Sequence, residues 1–368
     1  MKRTFLLAAV AVAAMASCTN TELVQTLNDS NRIKFETFMH KATRATETTV
    51  ANLGSFTVTA IDATSSKYID RQSVTVASGG ACSNYGDYYW PTDDSYLDFF
   101  AWGSSTATGV TPQADYWKQF YVQPLSDPAD QTDFVVARVQ GNKTNNATPG
   151  VVFNFRHAMS QIALEVYNTN EELEFDITGW KVCGVDVDGT FTFNDDNTSG
   201  KNSGKIASGD WSDNTTCTGA YIDDFTQTNL SGQASADAIS GSTTMILVPQ
   251  TAGSKATDYA GTASGDALAG QYIAVEMVIR NATNHAVIAP KQWCCWPVQF
   301  TWAPGFKYTY QIDLAQGGYK EKNDGFEDPE TSTPDLVLEN SKIVFATVTV
   351  DDWADSDNGP IDANLPNL

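Results

Sequence analysis

An all-β protein built of sandwich domains is predicted by three features of the sequence. Apolar and polar residues alternate with period two, stretches of helical period are scarce, and the apolar runs are separated by segments rich in Gly, Ser, Thr, Asn and Asp. Successive side chains of a strand point to opposite faces, so such alternation buries one face of a sheet. Phe56, Val58 and Ala60 alternate with Thr57 and Thr59, and Val151, Phe153 and Phe155 with Val152, Asn154 and Arg156. Ile162, Leu164 and Val166 continue the pattern, as do Ile273, Val275, Met277 and Ile279. Val298, Phe300 and Trp302 alternate with Gln299 and Thr301, and Tyr308, Tyr310 and Ile312 follow the Pro304-Gly305 turn. Segments 194–209 and 251–265 read as connections, the pattern of a sandwich rather than of a helix-rich enzyme.

The N-terminus reads as an export signal. Met1-Lys2-Arg3 is basic, Phe5 to Met15 is apolar, and Met15-Ala16-Ser17 places small residues before Cys18. The apolar stretch falls short of the about 20 residues that a permanent span needs. The segment resembles a lipoprotein signal, with Met15 where Leu is usual, in which Cys18 is acylated and begins the mature chain. Residues 1–17 are then the leader. An ordinary secretory signal with an incidental cysteine is the alternative.

The 368 residues carry a net charge of −22, and removal of the leader with Lys2 and Arg3 makes the mature form more acidic still. That balance repels nucleic acid and anionic membranes and favours solubility at a cell surface. Of six cysteines, Cys82, Cys183, Cys217, Cys294 and Cys295 remain once Cys18 is set aside, an odd number with no Cys-x-x-Cys spacing. Their disulfide state is left open. Adjacent Cys294 and Cys295 point to opposite faces of a strand and read as buried apolar residues.

Two hinges are expected. The polar run Gly141 to Gly150 is the preferred domain boundary, with Asn168 to Glu172 as competitor, giving units 45–147 and 148–333. Gly317 to Pro334 is the second, and residues 334–368 hold a strand-like stretch, Ile343 to Val350, and an acidic tail.

Several segments in order resemble the fimbrillin family of type V pilus subunits, surface lipoproteins of Bacteroides-type bacteria. They are Arg32-Ile33-Lys34-Phe35-Glu36-Thr37 with Ala42-Thr43-Arg44-Ala45, then Leu53 to Ala60, and Tyr89-Trp90-Pro91-Thr92 with Leu97 to Trp102. Phe153 to Ile162 and a last strand ending in Val350-Asp351-Asp352-Trp353 complete the set. The resemblance implies two tandem transthyretin-like β-sandwiches, lipidated export to the outer membrane, cleavage by an arginine-specific protease and assembly by strand exchange into a cell-surface fimbrium. Its partners would be other pilus subunits, itself included, and an adhesion target.

On this reading residues 18–44 are a propeptide, and cleavage falls between Arg44 and Ala45, in a Thr/Ala-rich stretch open to a protease. Ile33, Phe35 and Met39 form the apolar face of the strand removed. Burying three such side chains contributes about 5–9 kcal/mol, against about 5–15 for a whole domain. A replacement strand can restore both packing and hydrogen bonds. The donor expected is Ile343, Val344, Phe345, Ala346, Val348 and Val350 behind the second hinge. One face carries Lys342, Val344, Ala346, Val348 and Val350, the other Ile343, Phe345, Thr347 and Thr349, so the register stays open. A stalk subunit is preferred to a tip or anchor component; a monomeric, lipid-anchored glycan-binding protein is the alternative.

No enzyme is expected, and neither a cofactor nor a metal. His40 would leave with the first strand, and His157 reads as a structural core histidine. Gly-x-Ser-x-Gly, His-Glu-x-x-His and phosphate-loop motifs are absent. Asp186-Val187-Asp188-Gly189 opens like a calcium loop but lacks its terminal Glu, and with Asp351, Asp352, Asp355 and Asp357 it reads as surface charge. Asp93 and Asp94 read as a turn rather than a glycosidase pair, and the Trp and Tyr residues as core rather than sugar platform.

Overall fold

The computed structural model describes residues 31–38, 48, 51–103, 109–114, 118–193, 211–213, 218–230, 232, 237–238, 244–250, 270–320 and 347–352. Cys18, Met39, His40, Arg44, Ala45, Cys217 and the stretch from Ile343 to Ala346 therefore lie outside the described residues.

The fold is all-β. In chain order the first strands are β1 (Phe35–Phe38), β2 (Ser55–Ile61), β3 (Lys67–Val76), β4 (Cys82–Ser83) and β5 (Leu97–Gly103). They are followed by β6 (Val110–Pro112), β7 (Gln119–Val122), β8 (Val135–Gly141), β9 (Val151–Asn154) and β10 (Arg156–His157). Next come β11 (Ser160–Tyr167), β12 (Leu173–Asp186), β13 (Gly189–Thr192), β14 (Trp211–Asp213), β15 (Thr218–Leu230) and β16 (Asp237–Ala238). The last are β17 (Met245–Leu247), β18 (Tyr272–Asn281), β19 (Val287–Pro297), β20 (Phe306–Asp313), β21 (Tyr319–Lys320) and β22 (Thr347–Asp352).

A six-stranded sheet, ordered β10-β8-β5-β2-β3-β4, dominates the N-terminal half. Its central strands are buried on both sides, which is why their sequences read as nearly continuous apolar runs. Along β5, Leu97, Phe99 and Ala101 enter one core with Phe56, Val58 and Phe153, while Phe100 and Trp102 pack into another. On β8, Val135, Ala137 and Val139 take the first side and Val136 the second. The C-terminal half stacks the sheet β16-β11-β20-β22 and the sheet β15-β12-β18-β19-β21 around a core of Ile162, Trp180, Met277, Trp296 and Tyr310.

The halves meet through shared structure. β7 pairs antiparallel with β13, and the core between them joins Phe120, Phe134 and Val136 to Phe191, Phe193, Ile246 and Val248. The boundary expected at 147/148 cuts across the first core. Asn142 to Gly150 instead forms a capped helical turn, Lys143–Asn146, with Asn142 Oδ1 accepting from the Asn145 N–H at 3.1 Å. After it β9 returns to β1 and β10 to β8, so Val151, Phe153 and Phe155 belong to the N-terminal core.

Two further details differ from the pattern in the sequence. Val298, Phe300 and Trp302 are buried in alternation, yet only Trp302 makes a ladder contact, an isolated bridge to Gln250. Pro297 ends β19, and Gln271 takes over the next donors: its backbone oxygen accepts from Val298 N–H at 3.1 Å and its Oε1 from Phe300 N–H at 2.8 Å. Asp188, expected at the surface, is buried at 5% exposure and its Oδ2 accepts from the Tyr121 hydroxyl at 2.8 Å.

Cys294 and Cys295 sit back to back on β19. Cys294 lies in the C-terminal core, and Cys295 packs with Cys183, Tyr272 and Ala274 on the other face. Trp180, Trp296 and Trp302 are fully buried.

Candidate strand-exchange groove

Residues 32–37 form a plug in the N-terminal core. Arg32 makes an antiparallel bridge to Tyr89, and Ile33 N–H donates to Tyr88 O at 2.8 Å. The chain then runs parallel to β9, in register Phe35 with Val151 and Thr37 with Phe153, while Val151 N–H donates to Lys34 O at 2.8 Å. On its other side Glu36 bridges Ala81 beside β4. The plug is therefore hydrogen-bonded along both edges, and its loss would leave two rows of buried donors and acceptors unpaired, each costing about 1–3 kcal/mol when it cannot reach water.

The side chains follow the alternation. Ile33 and Phe35 are buried at 0% and 1%, whereas Glu36 is exposed. Phe35 fills a ring-lined pocket, with centroids at 5.5 Å from Phe153, 6.0 Å from Phe99, 6.2 Å from Tyr85 and 6.3 Å from Phe56. Edge-on geometry of this kind adds to simple burial because the ring edge is positive and the face negative. Thr37 Oγ1 donates to Gly80 O at 2.8 Å, and the Cys82 thiol points at the same carbonyl at 3.7 Å. Burial pushes the Cys82 thiol up to about 11; the Thr37 hydroxyl opposes the shift and the Glu36 carboxylate adds to it.

Arg32 closes the entrance. Its guanidinium donates twice to Gly86 O, at 3.0 and 2.7 Å, pairs with the exposed Asp87 at 2.9 Å and lies 5.7 Å over the Tyr85 ring. The sequence gives no sign that Arg32, Cys82 and Tyr85 are groove residues, because none of the three belongs to an alternating run.

Gly150 permits the close approach of β9. It has φ +81°, and a Cβ there would stand 3.2 Å from Lys34 O. Gly150→Ala should weaken the plug by roughly 1–2 kcal/mol, the left-handed penalty for a non-glycine residue. Urea denaturation of the intact protein would measure it. A midpoint unchanged from wild type would show that β9 does not need the glycine.

At the other end of the chain, β22 pairs antiparallel with β20, in register Val348 with Tyr310 and Val350 with Tyr308. Val348 and Val350 of the expected donor thus have their backbone on the protein's own C-terminal sheet.

The remaining candidates are structural. His157 is buried, its Nδ1 2.6 Å from Asp133 Oδ2. Asp93 and Asp94 are held below the usual carboxylate range, chiefly by Ser95 and Thr144, and Asp94 accepts from Thr144 N–H at 2.9 Å and its hydroxyl at 2.7 Å. A glycosidase acid needs the opposite shift. Among the described residues no group of three His, Cys, Asp or Glu could hold a metal ion, and no helix is long and apolar enough to cross a membrane.

Fold and groove together define an all-β protein whose N-terminal half is completed by a short strand set apart from its main sheet. Residues 43–353 match the model of the fimbrillin-like family, and the chain belongs to that family. Solved structures to which this chain is similar include proposed cell adhesion proteins from Bacteroides uniformis and Bacteroides ovatus. The first is 14% identical with TM-score 0.45, covering 88% of this chain and 98% of its own. The second is 15% identical with TM-score 0.45, covering 89% and 99%. The fimbrial anchor protein Mfa2 from Porphyromonas gingivalis is 11% identical with TM-score 0.31, covering 87% and 97%. Among curated proteins no match was found.

Proposed function

We propose that this protein is a structural subunit of a cell-surface adhesive fimbrium, exported as a lipoprotein acylated on Cys18. An arginine-specific protease cuts between Arg44 and Ala45, and the subunit then polymerises by strand exchange. The observation that carries the proposal is the plug itself. Residues 32–37 place Ile33 and Phe35 in the N-terminal core, and they lie N-terminal to Arg44. A single cut would convert them from part of the chain into a dissociable peptide. The vacated groove offers an incoming strand a parallel partner in β9, a bridge at Ala81 and an aromatic pocket. The mature protein would sit at the outer membrane surface, with other fimbrial subunits as partners and an adhesion target to which it binds.

The expected result is that protein cleaved after Arg44 forms concentration-dependent oligomers, while uncleaved protein, or cleaved protein truncated after Pro334, stays monomeric. Size-exclusion chromatography of the three forms decides it. A cleaved, full-length protein that remains a stable monomer would overturn assembly by this route.

One observation favours a second reading. β22 is already paired to β20, as it would be in a tip or anchor component that donates no strand outward. In that case the cleaved protein would accept a strand from another subunit but form no chain of its own.

A further inference from the structure

The groove specifies the sequence of the strand that can enter it, and the chain carries that sequence a second time. The seated plug reads Arg32-Ile33-Lys34-Phe35-Glu36-Thr37; near the C-terminus stands Lys342-Ile343-Val344-Phe345-Ala346-Thr347. Aligned without a gap, the two agree at the three positions that the structure turns inward. Ile33 is fully buried, Phe35 fills the ring pocket, and Thr37 binds Gly80 O. They differ at the outward positions: Lys34, only partly buried, is matched in sequence by Val344, and Glu36, exposed, by Ala346. The first position keeps its charge, Arg to Lys, where the structure sets Arg32 against Asp87.

We infer that residues 342–347 of a second copy of this chain are the occupant of the groove, in one register. Ile343 takes the seat of Ile33, Phe345 that of Phe35, and Thr347 that of Thr37, with Lys342 at the entrance beside Asp87. This rests on the strand exchange proposed above and deepens it by fixing the register. A slip of one residue would turn Val344 and Ala346 inward and leave the ring pocket without an aromatic side chain, because the side-chain period of a strand is two. The valine-rich face of this stretch is thus the outward one. Of the six residues only Thr347 falls within β22, so the exchange asks β20 to release the first residue of its partner and can leave Val348 to Asp352 in place.

Cys82 makes the register testable. Its thiol and the Thr37 hydroxyl converge on one carbonyl and on each other, so a thiol at position 347 of the incoming strand would lie beside the Cys82 thiol of the receiving subunit, and oxidation should join the two. Protein carrying Thr347→Cys, cleaved after Arg44 and mildly oxidised with copper phenanthroline, should give a ladder of disulfide-linked oligomers on non-reducing gels. The ladder should vanish when Cys82→Ser is added, a double variant that also reports on folding through its melting temperature. Ala346→Cys and Val348→Cys should give no ladder. A ladder from either of these but not from Thr347→Cys would overturn the register and leave strand exchange standing. Oligomers in solution with no ladder from any variant would mean that another segment fills the groove. Cleaved protein that stays monomeric throughout would overturn this inference together with the exchange on which it rests.

Discussion

Phe35→Ala should destabilise the intact protein by about 3–5 kcal/mol, the range for removing a buried aromatic side chain. The upper end is expected because the pocket cannot collapse around the loss. Phe56 and Phe99 stand on β2 and β5, which are fixed by their own ladders in the six-stranded sheet, and with Phe153 of β9 each meets Phe35 within 6.3 Å. A typical domain has only about 5–15 kcal/mol in total, so one side chain carries a large share of the N-terminal half. The effect should also be local. The Val151 N–H, which donates to Lys34 O in the plug, should exchange with solvent much faster in the variant than in wild type. Val152→Ala is the control, since Val152 sits on the same strand but is 45% exposed and should move stability by no more than about 0.5 kcal/mol. Urea denaturation with hydrogen exchange gives both readouts. A loss below about 1 kcal/mol for Phe35→Ala would mean that the plug contributes little to the fold, and the proposed maturation would lose its energetic basis.

The residues of the plug were legible in the sequence because their cause is local. Alternation alone puts Ile33 and Phe35 on one face and Lys34 and Glu36 on the other, and the structure seats them so. The same physics made the all-β class legible from Phe56 to Ile312. What the sequence does not encode locally is the partner of each strand. Val151 to Phe155 alternate as plainly as any segment, but nothing in them says that β9 turns back to run parallel to β1 rather than open the next unit. The polar run before it, which reads as a linker, is a helical turn held by Asn142, and polar side chains that cap a turn have the composition of those that solvate a hinge. Asp188 was misread for a related reason: its burial depends on Tyr121, 67 residues away. The site shows the same division. Arg32 anchors the plug to the groove through the carbonyl of Gly86, and Cys82 meets it at the carbonyl of Gly80, and a backbone carbonyl leaves no mark in a sequence.

Release of the plug should make Cys82 reactive, and the size and pH dependence of the change follow from its environment. In the intact protein burial raises the thiol to about 11, so deprotonation must overcome desolvation and the adjacent Glu36 carboxylate, with only the Thr37 hydroxyl helping. At pH 8 about one molecule in a thousand then carries the thiolate, the form that reacts. Cleavage after Arg44 and loss of the plug remove the cover, Glu36 and Thr37 together, and the thiol should return to near 8.5, the ordinary value. The thiolate fraction rises to about one quarter. A less basic thiolate is intrinsically the weaker nucleophile, which takes back about tenfold, so alkylation at pH 8 should accelerate about twentyfold from ionisation alone, and further through exposure. The sign also fixes the profiles. In the intact protein the rate should climb about tenfold per pH unit through pH 10, whereas in the cleaved protein it should level off above about pH 9. Mass spectrometry of the Cys82 peptide after iodoacetamide pulses would follow it, with Cys294 and Cys295, both at 0% exposure, as internal references for global unfolding. Oligomer assembly should then reverse the gain, because a strand seated as residues 32–37 are seated covers the thiol again. Equal Cys82 rates before and after cleavage would mean that the plug stays in its groove without a covalent link, and strand exchange would need a further step to remove it.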